Sequence, residues 1–231
     1  MEKTVLLVRH AQSANNALPE CERVPDPALT PLGRMQAEQL AQGLTQFSVA
    51  ELFCSPFKRS LDTALPASQL LGIRPSIRCD IYEQGGCYSG FEPGKLQGEP
   101  GMGRAELLAS YPGWAVDDAI GPDGWNAGRD YESCEAVKLR ASGVVRWLSR
   151  FWIPTGRRAA AALIIHADFK RLLLAELLQS DQWPDCMQPI WNTGISLLRF
   201  DGKSWRLCDW NSATHLPTDL RTPVSADVSA A

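Results

Sequence analysis

Two of the three histidines close similar stretches of chain. His10 ends the run Val5-Leu6-Leu7-Val8-Arg9-His10, and His166 ends Ala161-Ala162-Leu163-Ile164-Ile165-His166. Short apolar runs of this kind read as buried strands of a parallel sheet. In open α/β sheets, ligands bind outside the carboxyl ends of the strands. Two strand-end imidazoles can therefore converge on one site, although a lone histidine in such a place is more often a satisfied, half-buried one. Arg9, next to His10, presents a planar fork of donors that matches phosphate oxygens. A third short strand, Glu51-Leu52-Phe53-Cys54, stops at Ser55-Pro56, and Arg59 follows in the first turn of a helix. Main-chain N–H groups at a helix start also favour an anion. Alone, Arg59 would be a surface cation; beside the other strand-end groups it points to an anion site.

The elements that must hold these groups alternate between strand and helix. Thr30-Pro31 is a helix start, with Thr as N-cap and Pro at the first helical position. The helix that follows directs Leu32, Met35, Leu40 and Leu44 to a core, with Gly43 near its end. Another runs from about Lys58 to Leu71, with Gly72 as C-cap and Pro66 as an expected kink. The glycine- and proline-rich stretch from Gln84 to about residue 130, which carries Trp114 and Trp125, reads as an irregular insertion acting as a lid. A long helical pattern spans Ser133 to Phe151, a strand spans Ala159 to Ile165, and the helix after His166 has Asp168 near its start. Ser196 to Trp210 reads as a hairpin turned at Asp201-Gly202. The expected fold is an α/β three-layer sandwich, with a mostly parallel central sheet, helices on both faces and a lid insertion. Residues 1–216 form one domain, and the small, polar residues 217–231 are expected to be disordered.

Composition removes several classes of function. The 231 residues are 45% apolar and 21% charged, ordinary for a globular protein that needs neither disulfides nor metal to hold its core. Twenty-three Lys plus Arg against 26 Asp plus Glu leave a net charge of −3, without the basic footprint of a nucleic-acid binder. No run of about 18 apolar residues marks a membrane span, and the first ten residues do not spell a signal peptide. Seven cysteines without paired spacing read as free thiols of a cytoplasmic protein. The histidines lack the spacing of a metal site. RHAQS, not G-x-G-x-x-G, follows the first strand, so a dinucleotide-binding oxidoreductase is disfavoured.

Ordered along the chain, these motifs resemble those of the histidine phosphatase superfamily, the phosphoglycerate mutase-like enzymes. That family opens with a strand and R-H-G-x-[ST]; here it is Arg9-His10-Ala11-Gln12-Ser13. An L-[ST]-x-x-G helix start follows, here Leu29-Thr30-Pro31-Leu32-Gly33. S-P-x-x-R-x-x-x-T-A is complete from Ser55 through Arg59 to Thr63-Ala64. The later H-G is His166-Ala167, and an asparagine before the last strands is Asn192. Singly RHxxS is weak; four ordered matches in the expected strand and helix contexts are strong.

The resemblance implies roles. His10 would take the phosphoryl group and become phosphohistidine. Arg9, Arg59 and His166 would surround the phosphate oxygens, with His166 as a cation. Ser13, Asn16, Ala167 and Asn192 would also lie at the substrate. Glu83 would protonate the leaving oxygen and then activate water; Asp80 and Glu92 are rivals for that task. A neutral imidazole attacks well when its other nitrogen is held by an acceptor, and a backbone carbonyl is expected to hold that of His10. Ala11 and Ala167 stand where the family has glycine, and a left-handed backbone at either would be strained. His215 reads as structural.

The implied activity is hydrolysis of a small organic phosphate monoester, without cofactor or metal. Nothing in the sequence indicates the oligomeric state. A phosphoglycerate mutase-type transfer is the alternative; Lys95, Arg104 and Arg129 are then the candidates for gripping a second anionic group, whereas Trp114 and Trp125 would cover an organic leaving group or simply pack the lid. A catalytically inactive binding module would be signalled by loss of His10, Arg59 or His166, and all three are present.

Overall fold

The computed structural model describes residues 2–90, 94–150, 159–180 and 190–222. In chain order the elements are β1 (Lys3–Arg9), α1 (Ala14–Ala17), α2 (Pro31–Leu44), β2 (Val49–Cys54), α3 (Lys58–Leu71), β3 (Ser76–Ile77), β4 (Tyr88–Ser89), β5 (Gln97–Gly98), α4 (Arg104–Ser110), β6 (Ala115–Val116), α5 (Cys134–Arg150), β7 (Ala160–Ile165), α6 (Ala167–Leu178), β8 (Ile195–Phe200) and β9 (Trp205–Ser212). A seven-stranded sheet has the order β6-β3-β2-β7-β1-β8-β9. Its first five strands are mutually parallel, and the β8–β9 hairpin adds an antiparallel edge.

Side-chain alternation along the central strands builds two cores. Leu6, Val8, Leu52, Cys54, Ala162 and Ile164 face α2 and α3. Val5, Leu7, Phe53, Ala161, Leu163 and Ile165 face α5 and α6. A strand covered on both sides has no polar face to show, which is why β7 reads AAALII and is buried at every position.

The register sets the strand ends level. Arg9 pairs with Ile165, and Cys54 with Ile164. The next main-chain bonds, His10 N–H to Ile165 O at 2.8 Å and Ser55 N–H to Ile164 O at 3.1 Å, carry that alignment one residue further. His10, Ser55 and His166 therefore leave the sheet along one edge.

Helix starts follow their local chemistry. The Thr30 hydroxyl accepts from Gly33 N–H at 3.0 Å, with Pro31 at the first position of α2. A Cβ on Gly33 would meet Gln12 O at 2.0 Å, so this helix can lie against the chain after His10 only with glycine there. The buried stripe of α2 is Gly33, Gln36, Ala37, Leu40, Ala41 and Leu44. Leu40 and Leu44 meet the expectation, but Leu32 is only half-buried and Met35 is 45% exposed. The close approach at Gly33 rotates the first turn and brings Gln36 inward. α3 stays helical through Pro66, and Gly72 closes it in the left-handed region at φ 66°.

Two regions differ from the sequence reading. The Gln84–130 stretch divides. Leu107, Tyr111, Trp114, Val116, Ile120 and Trp125 are buried in the α2–α3 core, and β6 forms an edge of the main sheet. Among the described residues, β4 and β5 pair antiparallel as a separate two-stranded sheet. Glycine content obscured an apolar spacing that is enough to join the core. Residues 217–222 are ordered: Thr218–Leu220 form a 3-10 turn, and Gln36 Nε2 donates to Leu220 O and the Thr222 hydroxyl, both at 2.8 Å. The buried amide of Gln36 holds this segment, so the expected disorder does not begin at 217; residues from 223 lie outside those described. The six cysteines among the described residues are free thiols. No helix among these residues is long and apolar enough to cross a membrane.

Candidate active site

The aligned strand ends bring His10, Arg9, Arg59 and His166 together. His10 is 4% exposed, and the rings of His10 and His166 lie 5.1 Å apart between centroids. His10 Nδ1 is 2.6 Å from Ala11 O, and Arg59 Nε lies 3.2 Å from His10 Nε2. A carbonyl only accepts and a guanidinium only donates. Nδ1 therefore carries the proton, and Nε2 presents its lone pair. Burial, followed by the charges of Arg59 and Arg9, pushes the His10 imidazole well below its ordinary value and keeps it neutral.

Arg59 owes its place to the start of α3. Its guanidinium lies 3.8 Å over the Phe57 ring, and Asp26 Oδ1 accepts from Lys58 N–H at 2.9 Å in the same turn. Asp26 is pushed up to about 6, chiefly by burial, against the pull of Arg59. Thr63, one turn further along, donates to Arg59 O at 2.6 Å and accepts from Ala11 N–H at 3.0 Å, tying α3 to the chain after His10. Arg9 sends one arm to Ile190 O, while its Nε is buried with no hydrogen-bond partner among the described residues.

His166 is fully buried and is the N-cap of α6. Its Nε2 lies 2.7 Å from the Ser55 hydroxyl and 3.3 Å from that of Ser60; its Nδ1 has no hydrogen-bond partner among the described residues. Burial and then Arg59 push it well below its ordinary value. The expected cation at His166 is therefore disfavoured by its surroundings: burial and the nearby Arg59 both oppose the charged form.

Glu83 sits over the first turn of α6. It accepts from Phe169 N–H and Gln84 N–H, both at 2.9 Å, and from Asp168 N–H at 3.3 Å. Those donors and Arg59 favour its ionised form; burial, then the Asp168 carboxylate, outweigh them and raise it to about 7. Arg140 fixes the approach: it donates to Asp80 O and Tyr82 O, both at 3.0 Å, pairs with Glu132, and lies 3.7 Å over the Tyr82 ring. The rival Asp80 is turned away into a pair with Arg78, and Glu92 lies outside the described residues.

The remaining candidates divide. Asn16 Oδ1 accepts from Ser13 N–H at 3.1 Å and Ser13 Oγ–H at 3.2 Å, and Asn192 Nδ2 donates to His10 O at 3.0 Å. Ser13 and Asn192 are buried in this loop scaffold, whereas Asn16 is exposed. Ala11 and Ala167 both avoid positive φ, so neither substitution for glycine strains the backbone, and Ala167 is the first residue of α6. His215 Nε2 lies 3.0 Å from the Thr193 hydroxyl, and burial pushes the imidazole down to about 4, in keeping with a structural role. Two of the cations considered for a second anionic group are engaged elsewhere. Arg104 donates to Val116 O and Asp117 O, and Arg129 to Asn126 O and Trp125 O. Trp125 packs on Phe57 at 4.6 Å, and Trp114 on Tyr111 at 4.9 Å; both are core residues. Sequence reasoning missed Asp26 and Arg140, which belong to no pattern around the histidines; Asp168 reads from sequence only as a helix-start residue. Ser55, Ser60 and Thr63 lie within the S-P-x-x-R-x-x-x-T-A run, but the sequence assigns them no task.

Similarity to known proteins runs along nearly the whole chain. The profile of the histidine phosphatase superfamily (branch 1) matches residues 5–213. A glucosyl-3-phosphoglycerate phosphatase of Mycolicibacterium vanbaalenii is 26% identical over 94% of this chain and 98% of its own length. A probable phosphatase of Schizosaccharomyces pombe is 32% identical, but the match covers 35% of this chain and only 38% of that protein. The solved mycobacterial glucosyl-3-phosphoglycerate phosphatase in complex with VO3 aligns with a TM-score of 0.63 at 22% identity, over 91% of this chain and all of that one. The chain belongs to the histidine phosphatase superfamily.

Proposed function

We propose that this protein is a phosphatase that hydrolyses a small organic phosphate monoester through a phosphohistidine intermediate on His10. The observation that carries the reading is the imidazole held from both sides: an acceptor on Nδ1 and a donor on Nε2 leave one neutral tautomer with its nucleophilic nitrogen among buried guanidinium groups. Phosphoryl transfer asks a protein mainly for in-line positioning and charge neutralisation. An incoming phosphate takes over the Arg59 N–H and gives oxygen partners to Arg9 Nε and His166 Nδ1. His10 Nε2 attacks phosphorus, the bond to the leaving oxygen breaks, and Glu83 supplies that oxygen's proton. Glu83, now a carboxylate, takes a proton from water; the water oxygen attacks phosphorus and the P–N bond breaks. Inorganic phosphate leaves, and His10 and Glu83 return to their starting states. An acid at about 7 is poised for both halves.

The mutase alternative needs a grip on a second anionic group, and the internal bonds of Arg104 and Arg129 weigh against it. The test is phosphate release from a panel of phosphorylated metabolites, 3-phosphoglycerate included, with isomer formation followed in the same tubes. Free phosphate that disappears in His10→Ala is the expected result. Isomer formation without release would replace this reading with the mutase; neither, from folded protein, would leave a binding module.

A further inference from the structure

Lys170 lies on α6 between residues that belong in a core, Phe169 on one side and Leu173 and Leu174 beyond it, and its side chain is fully buried. Its amine donates to Gly194 O at 2.8 Å and sits 5.3 Å from the centre of the Trp210 ring. The charged group that faces it is Arg9, itself a cation. Burying an amine beside a guanidinium is costly, and an apolar side chain of the same length would pack there at less cost.

The Gly194 carbonyl is part of the loop that organises the strand end. It also accepts from Arg9 N–H at 3.3 Å. Thr193 N–H donates to Arg9 O at 3.0 Å, and Asn192 Nδ2 to His10 O at 3.0 Å. Thr193 has φ 57°, a left-handed conformation that a β-branched residue adopts only where its surroundings impose it. At Gly194 a Cβ would meet Asn211 Oδ1 at 2.1 Å. The loop is therefore tight and strained, and its main chain sets where Arg9 and His10 leave β1.

We propose that Lys170 is a positioning residue of the phosphate site: by gripping Gly194 O it holds the Asn192–Gly194 loop in its left-handed turn and thereby aims Arg9 at the substrate. The amine donates whether or not it is protonated, so the function does not depend on its charge. The proposal rests on the phosphatase reading above.

The test measures inhibition by inorganic phosphate and by vanadate, kcat/KM and Tm for the wild type, Lys170→Met and Lys170→Gln. Lys170→Met is expected to keep or raise Tm while both inhibitors weaken by about tenfold, the loss of roughly one well-placed hydrogen bond to a charged group. Lys170→Gln, which retains an N–H donor, is expected to recover most of that affinity. Wild-type inhibition in a folded Lys170→Met, a Lys170→Gln no better than Met, or a Lys170→Met that does not fold would each overturn the proposal, the last by making the amine a structural requirement. A wild type that neither releases phosphate nor responds to vanadate would instead remove the phosphatase reading itself.

Discussion

His10 and His166 close neighbouring parallel strands, each is followed by alanine, and both are buried, yet their surroundings differ at every ring atom that matters. His10 has a carbonyl on one nitrogen and a guanidinium on the other, which fixes its tautomer and leaves a lone pair. His166 has two hydroxyls against Nε2 and no hydrogen-bond partner for Nδ1 among the described residues. Under the proposed mechanism the first arrangement suits a nucleophile, and the second leaves a ring nitrogen for a phosphate oxygen. Two residues with the same local signature thus stand in different surroundings because of what α3 and its N-cap bring to each: Arg59 to one, Ser60 and Phe57 to the other.

The comparison breaks first at His10. His10→Ala is expected to lower kcat/KM by at least about 10⁴-fold and to form no phosphoenzyme. Phosphohistidine trapped in that variant would make His166, or another residue, the nucleophile.

Glu83 belongs to the His166 side, since it binds the first turn of the helix that His166 caps. Glu83→Gln is expected to cost about 10²- to 10⁴-fold on alkyl phosphates and far less on an activated aryl phosphate, whose leaving group needs no proton. Wild-type kcat/KM for alkyl phosphates should fall as pH rises through about 7, where the acid is lost. Equal losses on both substrate types would remove Glu83 as the acid. Its effect on stability runs the same way with pH. The folded carboxyl at about 7 lies above its ordinary 4.5, so the folded state holds more protons between those values, and the wild type loses stability as pH rises through that window. The Tm of Glu83→Gln relative to wild type should therefore increase from pH 5 to pH 8.

A smaller effect is expected at the second histidine. His166→Ala should lose about 10²- to 10³-fold, the scale of one preorganised donor, while still forming phosphohistidine slowly on His10. Absence of any phosphoenzyme there would erase the distinction between the two rings. Ser55→Ala is the finest probe. It removes the 2.7 Å contact that orients His166 and should cost no more than about tenfold, seen in rapid-quench phosphoenzyme formation. A larger loss would give Ser55 a direct part in the chemistry.

Much of the scaffold was legible beforehand. Valine, leucine, isoleucine and alanine in unbroken runs marked β1 and β7, Thr30-Pro31 marked the start of α2, and Gly72 marked the end of α3, because strand burial, capping and left-handed turns are local demands on residue type. The insertion was less legible. Its glycines suggested a lid, but Trp114, Trp125 and their apolar neighbours follow no single helical or strand period, so only the packed core shows that they belong to it. Met35 fits an inward stripe by spacing yet points outward, because spacing carries no absolute rotation of the helix; the contact at Gly33 supplies it.

At the site, the sequence alone determined which residue types stand at the strand ends, the family they belong to, and hence the candidates His10, Arg9, Arg59, His166 and Glu83. Only the tertiary structure decided their states. The lowered pKa of His166, the Glu83 carboxyl raised to about 7, Asp26 beside Arg59 and the buried Lys170 behind Arg9 all follow from burial and from charges brought close by distant segments. Desolvation and Coulomb interaction depend on distance in space, which spacing along the chain does not encode.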